Sequence, residues 1–162
     1  MDIQVRPGLL TDVAKMDARA RHADRVEFYL MSGKPFADTL AYSILGSSRV
    51  WAAGGDGDVD ILWGVSRHPE AQHLGIPWLC ASTKLEDNRE GQIRFLLATK
   101  EYLPKVYAGY EGLGNYVHVK NDLSKNWLKW MGFELDEPKA YGPFGAPFHK
   151  FGWTRDSSVL LH

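Results

Sequence analysis

The pattern that most restricts the fold is a long helix between two strands. Residues 77 to 81 form a short apolar run that is typical of a buried strand, and residues 115 to 120 alternate as a second strand. Residues 88 to 107 predict a helix that Pro104 bends or ends. Its apolar face is expected to consist of Ile93, Leu96, Leu97 and Leu103. A crossover helix between two buried strands predicts an α/β fold, in which a mixed sheet carries helices on both sides.

The chain before this unit predicts one strand, two or three helices and a hairpin. The expected elements are a strand over residues 2 to 6, helices that begin at Thr11 or Asp12, at Arg25 and at Phe36, and a hairpin of residues 49 to 53 and 59 to 65. Gly33 and Gly46 are placed to end the later helices. Residues 67 to 75 are expected to form a loop.

The last third predicts a helix followed by two strands. Residues 121 to 131 place Leu123, Trp127 and Trp130 on one helical stripe, and Gly132 is expected to end the helix in the left-handed conformation. The remaining expected elements are a strand over residues 133 to 136, a stiff loop over 137 to 147 and a final strand over 148 to 154.

The chain is expected to form one domain. Its 162 residues match the most common size of a single domain, and 44% hydrophobic residues suffice for a core. The expected parts are the first strand and helices over residues 1 to 46, the hairpin, central strand and long helix over 47 to 112, a strand-helix-strand-strand unit over 113 to 154 and a tail over 155 to 162.

Charge and cysteine content narrow the class of function. Nineteen Lys and Arg against 20 Asp and Glu give a net charge of -1, so no overall positive field attracts a nucleic acid. Cys80 is the single cysteine, which excludes an internal disulfide and suits a reducing cytoplasm. His68 and His73 lack the further ligands of a metal site, and no apolar run has the length of a membrane span. A cytoplasmic protein without a metal is expected.

Sequence blocks along the chain carry a resemblance to a known superfamily. A strand followed by N-x-x-S-x-x-x-L, residues 121 to 128, and then Gly132-Phe133 resembles the C-terminal half of the GNAT superfamily of N-acetyltransferases. More narrowly, the chain is similar to a phage and prophage family that includes the internal virion protein A of short-tailed phages, in the blocks VWAAGG from Val50, GNYVHVKN from Gly114 and YGPFGxPFH from Tyr141. The resemblance implies an acyl-CoA N-acyltransferase fold, with a mixed sheet splayed between its fourth and fifth strands and flanked by helices.

The resemblance implies a site for the pyrophosphate of coenzyme A where the long helix begins. The segment NREGQI from residue 88 matches the phosphate turn of the superfamily at one glycine, while Ile93 replaces its second small residue. Amides that open a helix bind phosphate, and nearby arginines can pair with it. The implied cofactor-binding residues are Asn88, Arg89, Gly91 and Arg94. The alternative is that the glycine only begins a helix and the arginines are solvated.

A second implied site lies on the helix after the fifth strand. Active relatives place a tyrosine four residues before the Gly-Phe pair, where it donates a proton to the departing thiolate, but this chain has Leu128, which cannot donate. Asn121 and Ser124 match positions that line the pantetheine channel, although Asn121 is also an ideal helix N-cap. Trp127 adjoins the vacant tyrosine position. It is an implied cofactor-binding residue together with Asn121 and Ser124, and the alternative is that its indole fills the space of the cofactor and closes the site.

The candidates for a general base are few. Asp58 fits the hairpin turn, and Asp60 is expected on an exposed edge. Tyr116 and His118 lie on one face of their strand and are the candidate catalytic residues, with Tyr116 as the replacement for the missing acid. A lone histidine on a strand is more often structural.

Two functions remain open at this point. The first is a phage protein that kept the fold for virion assembly, or as an internal or virion-associated protein, with a reduced catalytic site and with virion, assembly or host proteins as partners. The second is an active acetyl-CoA-dependent N-acetyltransferase that modifies an amine on a host or phage protein or on a small molecule. Acetyl-CoA is the expected cofactor of the second, and a degenerate site would bind none.

Overall fold

The computed structural model describes residues 3 to 55 and 57 to 155, so most of the expected tail lies outside the described residues. The helices are α1 (Asp12–Asp17), α2 (His22–Ser32), α3 (Phe36–Gly46), α4 (Arg89–Tyr107) and α5 (Asp122–Trp130). The strands are β1 (Gln4–Pro7), β2 (Ser47–Gly54), β3 (Ile61–Arg67), β4 (Leu74–Ala81), β5 (Gly112–His118), β6 (Glu134–Leu135), β7 (Lys139–Tyr141) and β8 (Ala146–Thr154). Within the described ranges, no helix combines the length and the apolar character needed to cross a membrane.

All the described strands belong to one mixed sheet. Its order is β1-β2-β3-β4-β5-β8-β6, and β7 also pairs with β8. Only β4 and β5 are parallel among the described pairs, because α4 carries the chain from one to the other. They pair at two positions, Leu74 with Gly112 and Gly75 with Leu113, and then separate. The predicted mixed sheet, splayed between its fourth and fifth strands, is confirmed.

The sheet has a hydrophobic core on each face. The core under α4 and α5 contains Trp63 and Val117, and we call this side the α4/α5 face. The core under α1, α2 and α3 contains Leu62 and Cys80, and we call this side the α1–α3 face. Leu62 and Trp63 are neighbours in β3 and enter different cores, because successive side chains of a strand point to opposite faces.

Tertiary contacts shift several element boundaries from those expected. The second helix, expected from Arg25, begins at His22, after Ala20 has formed a β-bridge with Ser82. β4 begins at Leu74, inside an expected loop, because that end of the strand pairs with β5. β5 ends at His118 rather than at residue 120, and the loop expected over residues 137 to 147 contains β7, which pairs with β8.

The buried face of α4 differs from the predicted one. Its buried residues are Gly91, Phe95, Thr99 and Val106. These residues are four, four and seven positions apart, which places them on one side of the helix. Ile93 and Leu97 lie on the other side, where they are 49% and 56% exposed. The helix continues through Pro104 to Tyr107 and does not end at the proline.

The predicted stripe of α5 is only partly buried. Trp127 is 5% exposed, whereas Trp130 is 44% exposed. The ammonium group of Lys100 lies 4.2 Å from the centroid of the Trp130 ring. After the helix, Gly132 has a φ of 97°, so the predicted left-handed conformation is confirmed.

Candidate functional site

A cavity of about 480 Å³ lies where β4 and β5 separate. Residues from both faces of the sheet form its wall, because the gap passes between the two strands. On the α4/α5 face the wall includes Trp63, Thr99, Leu103, Ser124, Trp127 and Leu128. On the α1–α3 face it includes Glu27, Phe28, Met31, Tyr42, Trp78 and Tyr116.

The cavity is open beside Trp127. The indole packs in the same core as Phe133 and Phe151, so it forms part of the wall and leaves the gap between the strands free. Of the two alternatives for Trp127, the structure therefore favours the one in which the indole lines the channel and does not fill it. Leu128, at the vacant tyrosine position, also lies in the wall.

Two buried polar groups in this wall lack a hydrogen-bond partner among the described residues. They are Oγ of Ser124 and Nε1 of Trp63, on side chains of residues that are 8% and 4% exposed. A buried polar group without a partner costs about 1 to 3 kcal/mol. Both atoms are themselves buried, so the side chain must rotate before a ligand in the cavity could hydrogen-bond with the hydroxyl or the indole N–H and recover part of this free energy.

The edge of β4 contributes backbone groups to the same wall. Nδ2 of Asn115 donates to the carbonyl of Pro77 at 2.8 Å, and the amide of Ala81 donates to Oδ2 of Asp24 at 2.9 Å. Both groups point away from β3. Backbone groups two residues apart in a strand point in the same direction. Leu79 lies two residues after Pro77 and two before Ala81, so its N–H and C=O also point away from β3, into the gap. An extended ligand that contains amide groups could pair with Leu79 as a short strand would.

The wall on the α1–α3 face contains a buried carboxyl that the sequence analysis missed. Glu27 is 6% exposed, and its Oε1 accepts from the amide of His118 at 2.8 Å. Burial, and then the nearby carboxylate of Asp24, raises the pKa of Glu27 to about 8, against the hydrogen bond from His118. The available signal was the position of both acids on the same face of α2 as Phe28, since acids seldom occupy the apolar face of a helix.

Glu27 adjoins a buried polar network that joins α2 to the start of α5. Oδ1 of Asp24 accepts from Nδ2 of Asn121 at 3.0 Å and from Nη1 of Arg21 at 3.2 Å. Arg21 also donates to Oδ1 of Asn121 at 3.3 Å. Burial raises the pKa of Asp24, although Arg21, the Ala81 amide and Asn121 act in the opposite direction.

Asn121 therefore neither lines the cavity nor caps α5 with its side chain, the two positions expected from the sequence. It is fully buried, its side chain makes no capping hydrogen bond to α5, and it is absent from the cavity wall. The hydrogen bonds with Arg21 and Asp24 hold its amide away from both places. Asn121 fixes the start of α5, whose first turn carries Ser124.

Tyr116 lies in the cavity wall, and His118 does not. The ring of Tyr116 stacks on Tyr141, with 3.7 Å between centroids. His118 packs edge-on against Phe148 at 5.2 Å, and burial, followed by the charge of Lys120, lowers its pKa. A neutral, packed imidazole fits the structural alternative for His118, while Tyr116 stays a candidate for proton transfer.

The predicted phosphate turn is a small hollow of about 130 Å³ lined by Asn88, Glu90, Gly91 and Arg94. Asn88 caps α4, since its Oδ1 accepts from the Gly91 amide at 2.9 Å. A Cβ at Gly91 would lie 2.9 Å from the Asn88 side chain, so the cap by itself explains the glycine.

The arginines at this turn are turned toward the surface. Nη2 of Arg94 pairs with Glu90 at 2.8 Å, and Arg89 is exposed. A phosphate at this turn would compete with Asn88 for the Gly91 amide. Coenzyme A binding by Asn88, Arg89, Gly91 and Arg94 stays a prediction.

The hairpin aspartates lie outside the cavity wall. Asp60 is fully buried and pairs with Arg19 at 2.8 Å, so it does not occupy the expected exposed edge. Asp58 lies 3.4 Å from the same arginine. Within the described part of the chain, no three His, Cys, Asp or Glu side chains are grouped as metal ligands.

The fold is that of GNAT-family N-acetyltransferases. A GNAT-family acetyltransferase from Streptococcus pneumoniae matches with a TM-score of 0.63 at 12% identity, over 94% of this chain and 99% of that one. The protein yncA from Salmonella typhimurium, solved with its cofactor acetyl-CoA, matches with a TM-score of 0.67 at 13% identity, over 98% and 96%. A ribosomal-protein-S5-alanine acetyltransferase from Vibrio fischeri matches with a TM-score of 0.64 at 10% identity, over 99% and 97%. No family model and no curated protein matches the sequence.

Proposed function

We propose that the protein is an acyl-CoA-dependent N-acyltransferase that holds the thioester arm of its donor between β4 and β5. The observation that supports this most directly is the open cavity at the splayed strands, with the unpaired hydroxyl of Ser124 in its wall. The sequence resemblance and the solved relative that holds acetyl-CoA favour the same ligand.

The residues of the cavity fit the pantetheine arm of coenzyme A. That arm is an extended chain with two amide groups, and the wall offers the hydroxyl of Ser124, the indole N–H of Trp63 and the backbone of Leu79. Apolar side chains such as Leu103 and Trp127 exclude water from the same space. Acetyl-CoA, when bound, supplies an acyl group activated as a thioester. Leu128 provides no proton for the departing thiolate, so a slow enzyme is expected.

The proposal is tested by thermal stabilisation with millimolar coenzyme A and acetyl-CoA. A ligand present at ten times its Kd stabilises the folded protein by about 1.4 kcal/mol. For a domain of this size the Tm rises by about 3 to 6 °C. Release of free thiol from acetyl-CoA in the presence of an amine then measures turnover. The absence of any Tm shift with both ligands would contradict the proposal.

We expect Ser124→Ala to weaken coenzyme A binding about fivefold, because one hydrogen bond to the ligand is lost. The Tm of the free protein should stay the same or rise, since the variant removes a buried hydroxyl that has no partner in the described residues. Ser43→Ala is the matched control, because Ser43 lies in the same wall but already donates to the carbonyl of Thr39 at 2.9 Å. Equal coenzyme A affinities for both variants, measured by calorimetry, would exclude a role for Ser124.

A second candidate is association with a phage particle. The sequence blocks shared with the phage family and the missing acid at Leu128 favour it. The test is co-purification with virions or assembly intermediates from infected or induced cells, and absence from both would remove this candidate. A virion, assembly or host protein as partner, and a location in the bacterial cytoplasm or the virion, stay predictions.

A further inference from the structure

The α1–α3 half of the cavity combines an apolar wall with a buried acid. Its larger side chains are Phe28, Met31, Tyr42, Trp78 and Tyr116. Tyr42 is 79% exposed and marks the mouth, whereas Glu27 is 6% exposed and lies deep in the wall. Among the described residues of the whole wall, the other charged side chain is Arg67, which donates to the carbonyl of Gln72 and lies over the ring of Tyr110.

Glu27 and Asp24 share one nearby cation, Arg21, whose hydrogen bonds within the described residues go to Asp24 and Asn121. The charge of Arg21 and a hydrogen bond from Asn121 lower the pKa of Glu27, but burial and the charge of Asp24 raise it by more. From β5, Glu27 receives the His118 amide, and the imidazole of His118 has a lowered pKa. The remaining titratable neighbour is the buried thiol of Cys80, whose pKa is raised by burial and then by the two carboxyls, so it carries no charge. An ammonium group would supply the missing positive charge.

We propose that this half of the cavity binds the acyl acceptor, a primary amine with a single positive charge and an apolar body, whose ammonium group pairs with Glu27. The inference rests on the proposed function and specifies the substrate of the same site. The apolar body lies against the aromatic wall, where it is removed from water. A polyamine would leave its further ammonium groups unpaired among apolar side chains, which is unfavourable.

Glu27 also accepts the proton that the acceptor must lose. One proton moves from the ammonium to the Glu27 carboxylate, which leaves a neutral amine and a carboxylic acid. The amine nitrogen forms the new C–N bond to the acyl carbon as the C–S bond breaks, and the second proton lost by nitrogen ends on the sulfur as the thiol. Glu27 then releases its proton to solvent. The products are the amide, free coenzyme A and one proton.

The pairing makes amine binding depend on pH. The ammonium pairs with the ionised carboxylate, and the pKa of Glu27 in the free protein is raised to about 8. The ionised fraction, and with it the affinity, should rise about 50-fold from pH 6 to pH 8. Asp24 lies against the same carboxyl. Burial raises its pKa as well, while Arg21, the Ala81 amide and Asn121 act in the opposite direction.

The experiment is calorimetric titration of 2-phenylethylamine into the full chain at pH 6, 7 and 8. We expect the wild-type affinity to rise at least tenfold over this range, and Glu27→Gln to bind at least tenfold more weakly at pH 8 with a flat pH profile. Glu70→Gln, which changes an exposed acid outside the cavity wall, should behave as wild type. A flat wild-type profile, or spermidine bound as tightly as 2-phenylethylamine, would overturn the inference.

Two further measurements separate this inference from the proposed function. Glu27→Gln should keep the Tm shift with coenzyme A, since Glu27 lies on the opposite face of the sheet from Ser124. Loss of amine binding with an intact coenzyme A shift confirms the role of Glu27, whereas a wild-type protein that binds coenzyme A but no amine refutes only the acceptor site. The variant is expected to fold, because the Gln side-chain oxygen can still accept from His118 and the buried group is then neutral.

Discussion

Leu128→Tyr is expected to accelerate acyl transfer about 100-fold, the lower end of the usual contribution of a positioned acid or base. Leu128 lies in the cavity wall, one turn after Ser124 on the same side of α5. A phenol at this position could donate a proton to the departing thiolate, which the leucine side chain cannot do. The measurement is the initial rate of thiol release from acetyl-CoA with 2-phenylethylamine as acceptor.

Leu128→Phe is the control for this gain of activity. It adds the aromatic ring without the hydroxyl, so it reports the effect of filling the cavity. We expect its rate to equal or fall below that of wild type. If the Tyr and Phe variants had the same rate, protonation of the leaving group at this position would not limit the reaction.

Arg21→Met is expected to cost about 3 to 5 kcal/mol of unfolding free energy, because it leaves a buried carboxylate without its cation. Asp24 is fully buried and would keep only the hydrogen bonds from Asn121 and Ala81. For a domain of this size the Tm should fall by about 6 to 20 °C. Urea unfolding at pH 7 measures the loss.

Two variants test whether loss of the Arg21–Asp24 charge pair causes the expected loss of stability. Arg25→Met removes a guanidinium that pairs with Asp17 at 2.9 Å, where the side chains are 36% and 43% exposed. It should cost about 1 kcal/mol or less. Adding Asp24→Asn to Arg21→Met should recover at least about 1 kcal/mol, because the neutral amide still accepts from Ala81 and position 24 no longer carries a buried charge. Additive losses in the double variant would argue against a coupled pair.

Sequence reasoning identified some residues of the cavity wall and missed its buried acid. Tyr116 and Ser124 could be assigned from a strand pattern and a helix motif, and both lie in the cavity wall. Glu27 escaped notice because an acid in a helix is usually solvated, and its partner, His118, is 91 positions away in the sequence. Asn121 was misjudged for the same reason, since its partners Arg21 and Asp24 lie about 100 residues earlier.

The sequence by itself determined the order of the main elements and the mixed sheet. Strand alternation, helical periodicity and a crossover helix are local properties, and they sufficed to predict a mixed sheet with helices on both sides. The splay between β4 and β5, its one parallel described pair, was implied only by the resemblance to the superfamily. Only the tertiary structure decided whether that gap was open, because the answer depends on where Trp127 packs. The tertiary structure also decided that Glu27 is buried. The packing of α2 on β5 removes its carboxyl from water, and this burial raises its pKa.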